Sequence, residues 1–105
     1  MHTPADVEAA IAASADRPIV IFKHSATCPF SAAAQVEVAN AKHDLDIYGI
    51  VVQYAGDLSK LIAERLSVEH ASPQAIVVHR GEPVGHYWRG EIQEGALKTA
   101  IADLP

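Results

Sequence analysis

The one cysteine of this chain, Cys28, lies in Thr27-Cys28-Pro29-Phe30-Ser31, directly after an apolar run. Pro29 suits the first position of a helix, because the N–H that proline lacks would have no partner there. Cys28 would then precede the helix, where free backbone N–H groups and the helix dipole stabilise an anion. Cysteines so placed can have pKa values well below the roughly 8.5 of a free thiol. The pattern therefore favours a reactive thiolate, and the alternative is a buried structural cysteine.

Three polar side chains near Cys28 are candidates for stabilising its thiolate. Lys23 and His24 lie just upstream, and Ser31 follows about one helical turn later. Lys23 would supply a positive charge, His24 titrates near neutrality, and the Ser31 hydroxyl or N–H could donate to the sulfur. The alternatives are a solvated lysine at a strand end and an ordinary serine in a first helical turn.

The composition is that of an ordinary globular domain. Half of the 105 residues are hydrophobic and about a fifth are charged, so we expect one domain over residues 1–105 with one core. A net charge of −5 argues against a general nucleic-acid binder, which needs a basic face. No apolar stretch approaches the roughly 20 residues of a membrane span, and the N-terminus does not resemble a secretory signal. We therefore expect a cytoplasmic protein.

A single thiol limits the chemistry. One cysteine cannot form an internal disulfide, so a mixed disulfide on Cys28 must be resolved by another molecule. The six histidines show no paired spacing on one helix and have no second cysteine beside them. A closed zinc site needs such a ligand set, so we predict no intrinsic metal.

Hydrophobic periodicity and turn residues predict four helices and four strands. The predicted elements are a helix from Thr3 to about Ala15, strand Ile19 to Phe22, a helix from Pro29 to about Lys42, strand Ile47 to Tyr54, a helix after Asp57, strands Ala75 to His79 and Val84 to Trp88, and a last helix from Ile92 to Ile101. The helical crossover favours a parallel first pair, and the Arg80 to Pro83 turn favours an antiparallel hairpin. We predict a mixed four-stranded sheet flanked by helices, with Trp88 in its core. This α/β order, with an extra N-terminal helix, is the thioredoxin-like arrangement.

Several segments resemble the monothiol bacilliredoxin family. They are Phe22-Lys23-His24-Ser25, Thr27-Cys28-Pro29-Phe30-Ser31, Asp57-Leu58-Ser59 and His70-Ala71-Ser72-Pro73-Gln74. The likeness covers most of the chain and departs at Phe30, where we expect an aliphatic residue, and at Ala71, where an acidic residue is frequent. It implies a thioredoxin-like oxidoreductase that removes bacillithiol from S-thiolated cytosolic proteins in bacteria, with Cys28 as its reactive cysteine. Compared with glutaredoxins, Ser31 stands where a second cysteine would be.

The resemblance also implies a substrate groove. Such folds place a cis proline before the third strand, opposite the cysteine, and Pro73 occupies that position. The backbone of Ser72 would then pair with an extended substrate segment. Thr27, Pro29 and Phe30 flank the cysteine and are expected to contact substrate. His70 either lines the same groove or is a surface histidine without a role.

The implied partners follow from the same family likeness. They are S-thiolated proteins, bacillithiol as a co-substrate and a separate reductase. We expect no intrinsically bound cofactor and a monomer.

Two other functions stay open at the level of sequence. Monothiol glutaredoxins with a Cys-Gly-Phe-Ser site carry an iron–sulfur cluster between subunits, but Pro29 replaces that glycine and should stiffen the loop. A colourless protein after anaerobic purification would count against a carrier. A binding module with an inert Cys28 is the other alternative, and its thiol would be alkylated no faster than a simple free thiol.

Overall fold

The computed structural model describes residues 3–25, 29–41, 45–52, 56–102 and 104, with the side chains at positions 30 and 41 outside the description. Its elements are α1 (Pro4–Ala13), β1 (Ile19–His24), α2 (Pro29–Ala41), β2 (Asp46–Val51), α3 (Gly56–Leu66), β3 (Gln74–His79), β4 (Glu82–Trp88), a short 3-10 helix (Arg89–Glu91) and α4 (Glu94–Ala102). The predicted order is therefore confirmed. Within the described ranges, no helix is long and apolar enough to cross a membrane.

The start of α1 has a local cause. The Thr3 side chain accepts the Asp6 N–H at 3.3 Å, and the Asp6 carboxylate accepts the Thr3 N–H at 3.0 Å. This reciprocal capping box satisfies two donors that a helix start leaves free, and Pro4 at the first helical position needs none. The helix ends at Ala13, two residues earlier than predicted, and buries Val7, Ala10 and Ile11.

The four strands form one mixed sheet in the order β2-β1-β3-β4. As predicted, β1 and β2 are parallel and β3 and β4 are antiparallel, and β1 also pairs antiparallel with β3. The strand β1 continues two residues beyond its apolar run, so that Lys23 pairs with Ile50 on one side and with Gln74 on the other. Conversely, β2 ends at Val51, short of the predicted Tyr54, which lies outside the described residues. The buried central strand thus leads directly toward Cys28.

Alternating side chains of the sheet fill two cores. One face packs against α1 and α3, and the other packs against α2 and α4. The first core contains Val7, Ile11, Ile19, Ile21, Leu58, Ile62, Ile76 and Val78; the second contains Val20, Phe22, Ala34, Val38, Ala75, Val77 and Leu97. Because neighbours along β1 point to opposite faces, Lys23 belongs to the α1/α3 face and His24 to the α2/α4 face.

The hairpin between β3 and β4 is tied to the end of α1. Its two turn residues, Arg80 and Gly81, both have positive φ, 55° and 76°, as a tight hairpin turn requires. The Arg80 N–H donates to the Ser14 carbonyl at 2.7 Å, and the Gly81 N–H donates to the Ser14 hydroxyl at 2.9 Å. The β3–β4 pairing also shifts register between Val77 and Val78, with Pro83 opposite Val78. These contacts fix the end of the sheet away from Cys28.

Candidate active site

The predicted nucleophile lies in the loop between β1 and α2. Cys28 and Thr27 are outside the described residues, so the structure defines the site through the residues on either side of them. Pro29 begins α2, as predicted, and is exposed. The backbone of Phe30 is helical, but its side chain is not among those described. The predicted strand-to-helix context of Cys28 is therefore present, while its sulfur contacts stay a prediction.

Ser31 is fully buried and joins the two ends of the Cys28 loop. Its hydroxyl oxygen accepts the Ser25 N–H at 3.0 Å, across a separation of six residues. An oxygen that accepts this bond still carries its own proton, which remains available for donation. Ser31 therefore joins the residues on either side of Cys28, and its bond to the sulfur stays a prediction.

Lys23 is buried within the sheet, not solvated at a strand end. Its side chain is 0% exposed, and the ammonium lies 3.3 Å from the Ser59 carbonyl oxygen and 3.2 Å from His70 Nδ1. Burial disfavours the charged form and lowers the pKa of Lys23 to about 8. Lys23 is thus mostly protonated at neutral pH, and it places a buried positive charge in β1, the strand that leads to Cys28.

His24 lies on the opposite face of the same strand. Its ring stacks on Phe22 with centroids 5.0 Å apart, and its Nδ1 is 3.0 Å from Gln35 Nε2. Burial lowers the pKa of His24 below its usual value, so the ring is neutral at pH 7. A neutral imidazole supplies no full charge to a thiolate, so of the two upstream candidates Lys23 is the stronger.

The segment before β3 contains the predicted proline. The Ser72–Pro73 peptide bond is cis, as predicted, and Pro73 is buried. The Pro73 carbonyl accepts the Arg89 N–H at 3.2 Å, which joins this segment to the end of β4. Lys23 pairs with Gln74 in the antiparallel β1–β3 register. The next position in that register places Pro73 beside His24. Ser72 and Pro73 therefore lie at the end of the sheet from which the Cys28 loop departs.

The chain matches a known family over nearly its whole length. Residues 1–97 match the family model described as Monothiol bacilliredoxin BrxC. This chain belongs to the BrxC family. The match includes Cys28, which is the only cysteine in the sequence and therefore the only thiol that a monothiol mechanism could use.

Solved structures agree with a BrxC-family fold. A thioredoxin-fold protein with a suggested oxidoreductase activity is 33% identical, with a TM-score of 0.86 over 95% of this chain and 89% of that one. The thioredoxin of Fasciola hepatica gives 0.73 at 22% identity, over 96% of this chain and 93% of that one. A mutant thioredoxin from Halobacterium salinarum NRC-1 gives 0.77 at 16% identity, over 100% and 91%. The last two show the fold alone, which is thioredoxin-like as predicted.

In this BrxC-family member a pocket of about 370 Å³ adjoins the segment before Pro73. Its floor includes Gln74 and Trp88, which face each other across β3 and β4. Glu69, His70, Ala71, His86 and Glu91 complete its lining. The Gln74 side chain is 3% exposed, and its Oε1 and the Ser72 hydroxyl are buried without a hydrogen-bond partner among the described residues. His70 therefore lines this pocket, and its predicted place in the substrate groove stays a prediction.

The prediction that Trp88 is a core residue is wrong. Trp88 is 45% exposed, and the Arg89 guanidinium lies 4.3 Å from its ring centroid. Tyr87 instead packs against the core between the sheet and helices α2 and α4. Neighbouring strand residues must point to opposite faces, and at this end of β4 the α1/α3 face is left open as the pocket. Trp88 therefore lines the pocket instead of the core.

Lys23 was predicted from the sequence to have a role, but its contacts with Ser59 and His70 were not predicted. Those residues are 36 and 47 positions away, so no local spacing signals the cluster. One feature of the sequence indicated the burial of Lys23. It directly follows an apolar run, so a strand one residue longer than that run buries the Lys23 side chain. Within the described ranges, no group of three or more histidine, cysteine, aspartate or glutamate side chains could hold a metal ion.

Proposed function

We propose that this protein is a monothiol thiol-disulfide oxidoreductase that removes bacillithiol from S-thiolated proteins in the cytosol. Cys28 would carry the reaction through a mixed disulfide. The observation that carries the proposal is the match of residues 1–97 to the monothiol bacilliredoxin family in a chain with one cysteine. The protein would act as a monomer of one domain, without an intrinsically bound cofactor.

The first half-reaction transfers the small thiol. The Cys28 thiolate attacks the sulfur of the small thiol in the protein mixed disulfide. A new S–S bond forms between Cys28 and the small thiol as the old one breaks, and the target cysteine leaves as a thiolate. No net oxidation occurs, because one disulfide is exchanged for another.

The second half-reaction must come from outside the chain. The thiolate of a second small-thiol molecule attacks the small-thiol sulfur of the mixed disulfide on Cys28. A small-molecule disulfide forms, and Cys28 leaves as a thiolate. A separate reductase then reduces that disulfide. This requirement follows from the single cysteine, because a chain with one thiol cannot resolve its own mixed disulfide.

The residues around the loop would have distinct roles. The ammonium of Lys23 supports the thiolate through its buried charge, which acts in a medium of lower dielectric than water. Ser31 holds the loop and, with its own proton, donates to the sulfur. His24 contributes packing and its ring dipole to thiolate stabilisation. Thr27, Pro29, Phe30, Ser72 and Pro73 would contact the substrate around the cysteine.

Intact-mass spectrometry tests the proposal. The reduced protein is mixed with a test protein carrying bacillithiol as a mixed disulfide, and separately with one carrying glutathione. Cys28→Ser is the control. A mass gain on Cys28 from the bacillithiol substrate alone is the expected result, and it would identify both the reaction and the thiol. Transfer from neither substrate to folded protein would overturn the proposal, and transfer from glutathione alone would overturn the assignment to bacillithiol.

A further inference from the structure

Among the described residues, hydrogen bonds to Gln74, Arg89 and Lys23 hold the segment Glu69 to Pro73 in place. Gln74 Nε2 donates to the Glu69 carbonyl at 3.0 Å, and Arg89 N donates to the Pro73 carbonyl at 3.2 Å. Between them, His70 Nδ1 lies 3.2 Å from Lys23 Nζ. Of these three bonds, the last joins two titratable groups. The attachment of this segment to the sheet therefore depends on protonation at one point.

The donor and acceptor roles of that bond follow from the charge of Lys23. An ammonium can only donate, so Nδ1 of His70 must carry a lone pair and the ring proton must be on Nε2. The second acceptor of Lys23 is the Ser59 carbonyl of α3. His70 is therefore neutral while it holds Lys23. Burial and the nearby Lys23 charge both lower the pKa of His70, in agreement with this state.

Protonation of His70 would reverse this contact. A proton on Nδ1 turns the acceptor into a donor that faces another donor, and it brings two positive charges together. Lys23 cannot move away, since its side chain is fully buried between the sheet and α3. His70 is on the exposed side of the contact, so it is the group that leaves.

We propose that Lys23 and His70 are positioning residues that hold segment 69–73 against the active site, and that a proton on His70 releases this segment. The inference rests on the proposed function, in which Ser72 and Pro73 of that segment contact the substrate. Release would weaken substrate binding without touching the reacting sulfur. The effect therefore falls on KM for the protein disulfide and leaves kcat nearly constant.

Within the described residues, the charged or titratable groups that contact His70 or share its pocket are Lys23, Glu69, His86 and Glu91. Lys23 faces it from β1, Glu69 lies beside it in its own segment, and His86 of β4 and Glu91 of the 3-10 helix line the same pocket. The element α3 contributes the uncharged Ser59 carbonyl, which binds the same ammonium. Glu69 and Glu91 are exposed, so water and salt screen their attraction for a protonated ring more than they screen the buried Lys23.

The functional test compares two histidine variants with the wild type. In His70→Asn the amide oxygen can accept from Lys23 and does not titrate, and His86→Asn makes the same change in the same pocket without a Lys23 contact. For bacillithiol transfer to Cys28, kcat and KM are measured from about pH 7.5 to about pH 5. Titration of the Cys28 thiol is common to all three proteins and cancels when their rates are divided.

We expect the kcat/KM of His70→Asn, relative to that of the wild type, to rise as pH falls, approaching about tenfold per pH unit below the His70 pKa. The relative rate of His86→Asn should stay constant, and the wild-type loss should appear in KM. A flat ratio for His70→Asn in a protein that transfers bacillithiol would overturn the inference. No transfer by the wild type at any pH would instead overturn the proposed function.

A second measurement tests the pair without any activity. Nuclear magnetic resonance of the histidine rings should show neutral His70 with its proton on Nε2, and Lys23→Met should raise the His70 pKa toward its usual value. An apolar replacement of similar size is often tolerated at a buried charge, so this variant should fold. A neutral His70 with its proton on Nδ1, or a His70 pKa unchanged by Lys23→Met, would overturn the pair.

Discussion

The Ser31 hydroxyl oxygen accepts the Ser25 N–H at 3.0 Å, and so the last residue described before the Cys28 loop is bonded to the first turn of α2. Ser31 stands where a dithiol relative would carry its second cysteine. In this chain that position has a structural role, because a buried hydroxyl closes the loop around the single thiol. The hydroxyl at this position thus forms a hydrogen bond that a thiol would form only weakly.

Ser31→Ala should loosen the Cys28 loop. The Ser25 N–H loses this buried acceptor, so the free energy of unfolding should fall by about 1 to 2 kcal/mol, and Cys28 should be alkylated more slowly. Urea denaturation and the iodoacetamide rate at neutral pH measure the two effects. Ser14→Ala is the matched control, because it breaks a hydroxyl bond at the other end of the sheet. An alkylation rate equal to wild type in Ser31→Ala would contradict the role assigned to the hydroxyl.

Ser14→Ala should separate stability from reactivity. The variant removes the hydroxyl that accepts the Gly81 N–H and should lower the free energy of unfolding by about 1 to 3 kcal/mol. The residues that flank Cys28, at the end of β1 and the start of α2, lie at the opposite end of the sheet, so the alkylation rate of Cys28 should be unchanged. Thr99→Ala removes an exposed hydroxyl from α4, and it should change the free energy of unfolding by less than about 0.5 kcal/mol. Equal stability of the two variants would show that the Gly81 bond contributes nothing.

Stability should depend on pH through Lys23. Its pKa is lowered to about 8 in the folded protein from the usual 10.5, so between these values the unfolded chain binds more protons. The free energy of unfolding should therefore rise with pH in that window, by about 1 to 2 kcal/mol, and the Lys23 contribution should be constant below pH 8. Denaturant titrations at about pH 7.5 and about pH 10 measure this rise.

Lys23→Met provides the control for that pH dependence. The other ionisable groups are common to both proteins, so their contributions cancel in the difference. A wild-type minus variant difference that stays constant across the window would rule out a lowered pKa for Lys23.

The Cys28 thiol should respond to Lys23 more than to His24. Lys23 holds a buried positive charge at neutral pH, so Lys23→Met should raise the thiol pKa by about half a unit to one unit. His24 is neutral, so His24→Asn should shift the thiol pKa by less than about 0.3 units. The pH dependence of iodoacetamide alkylation gives both values. A larger shift in His24→Asn than in Lys23→Met would reverse this ranking.

The elements that the sequence predicted well have local causes. Thr3, Pro4 and Asp6 form a capping box within four residues, and the helix starts where they predict. The Arg80–Gly81 turn also has a local cause, because these two adjacent residues both have positive φ. The cis bond before Pro73 was predicted from the family likeness, since local preference favours the trans form.

The parts that sequence could not predict depend on distant contacts. Alternation required Tyr87 and Trp88 to face opposite ways, but which face is covered depends on where α2 and α4 pack. The Lys23 cluster draws one residue each from β1, α3 and the segment before β3. Its chemistry therefore exists only once the sheet has been assembled.

The irregular start of β4 has a consequence for self-association. As the last strand of the sheet, β4 exposes an edge that another polypeptide could extend by strand addition. Proline at position 83 removes one N–H from that edge, and the register shift between Val77 and Val78 interrupts the regular spacing of the ladder beside it. This edge is therefore poorly suited to serve as a template for the aggregation of another polypeptide.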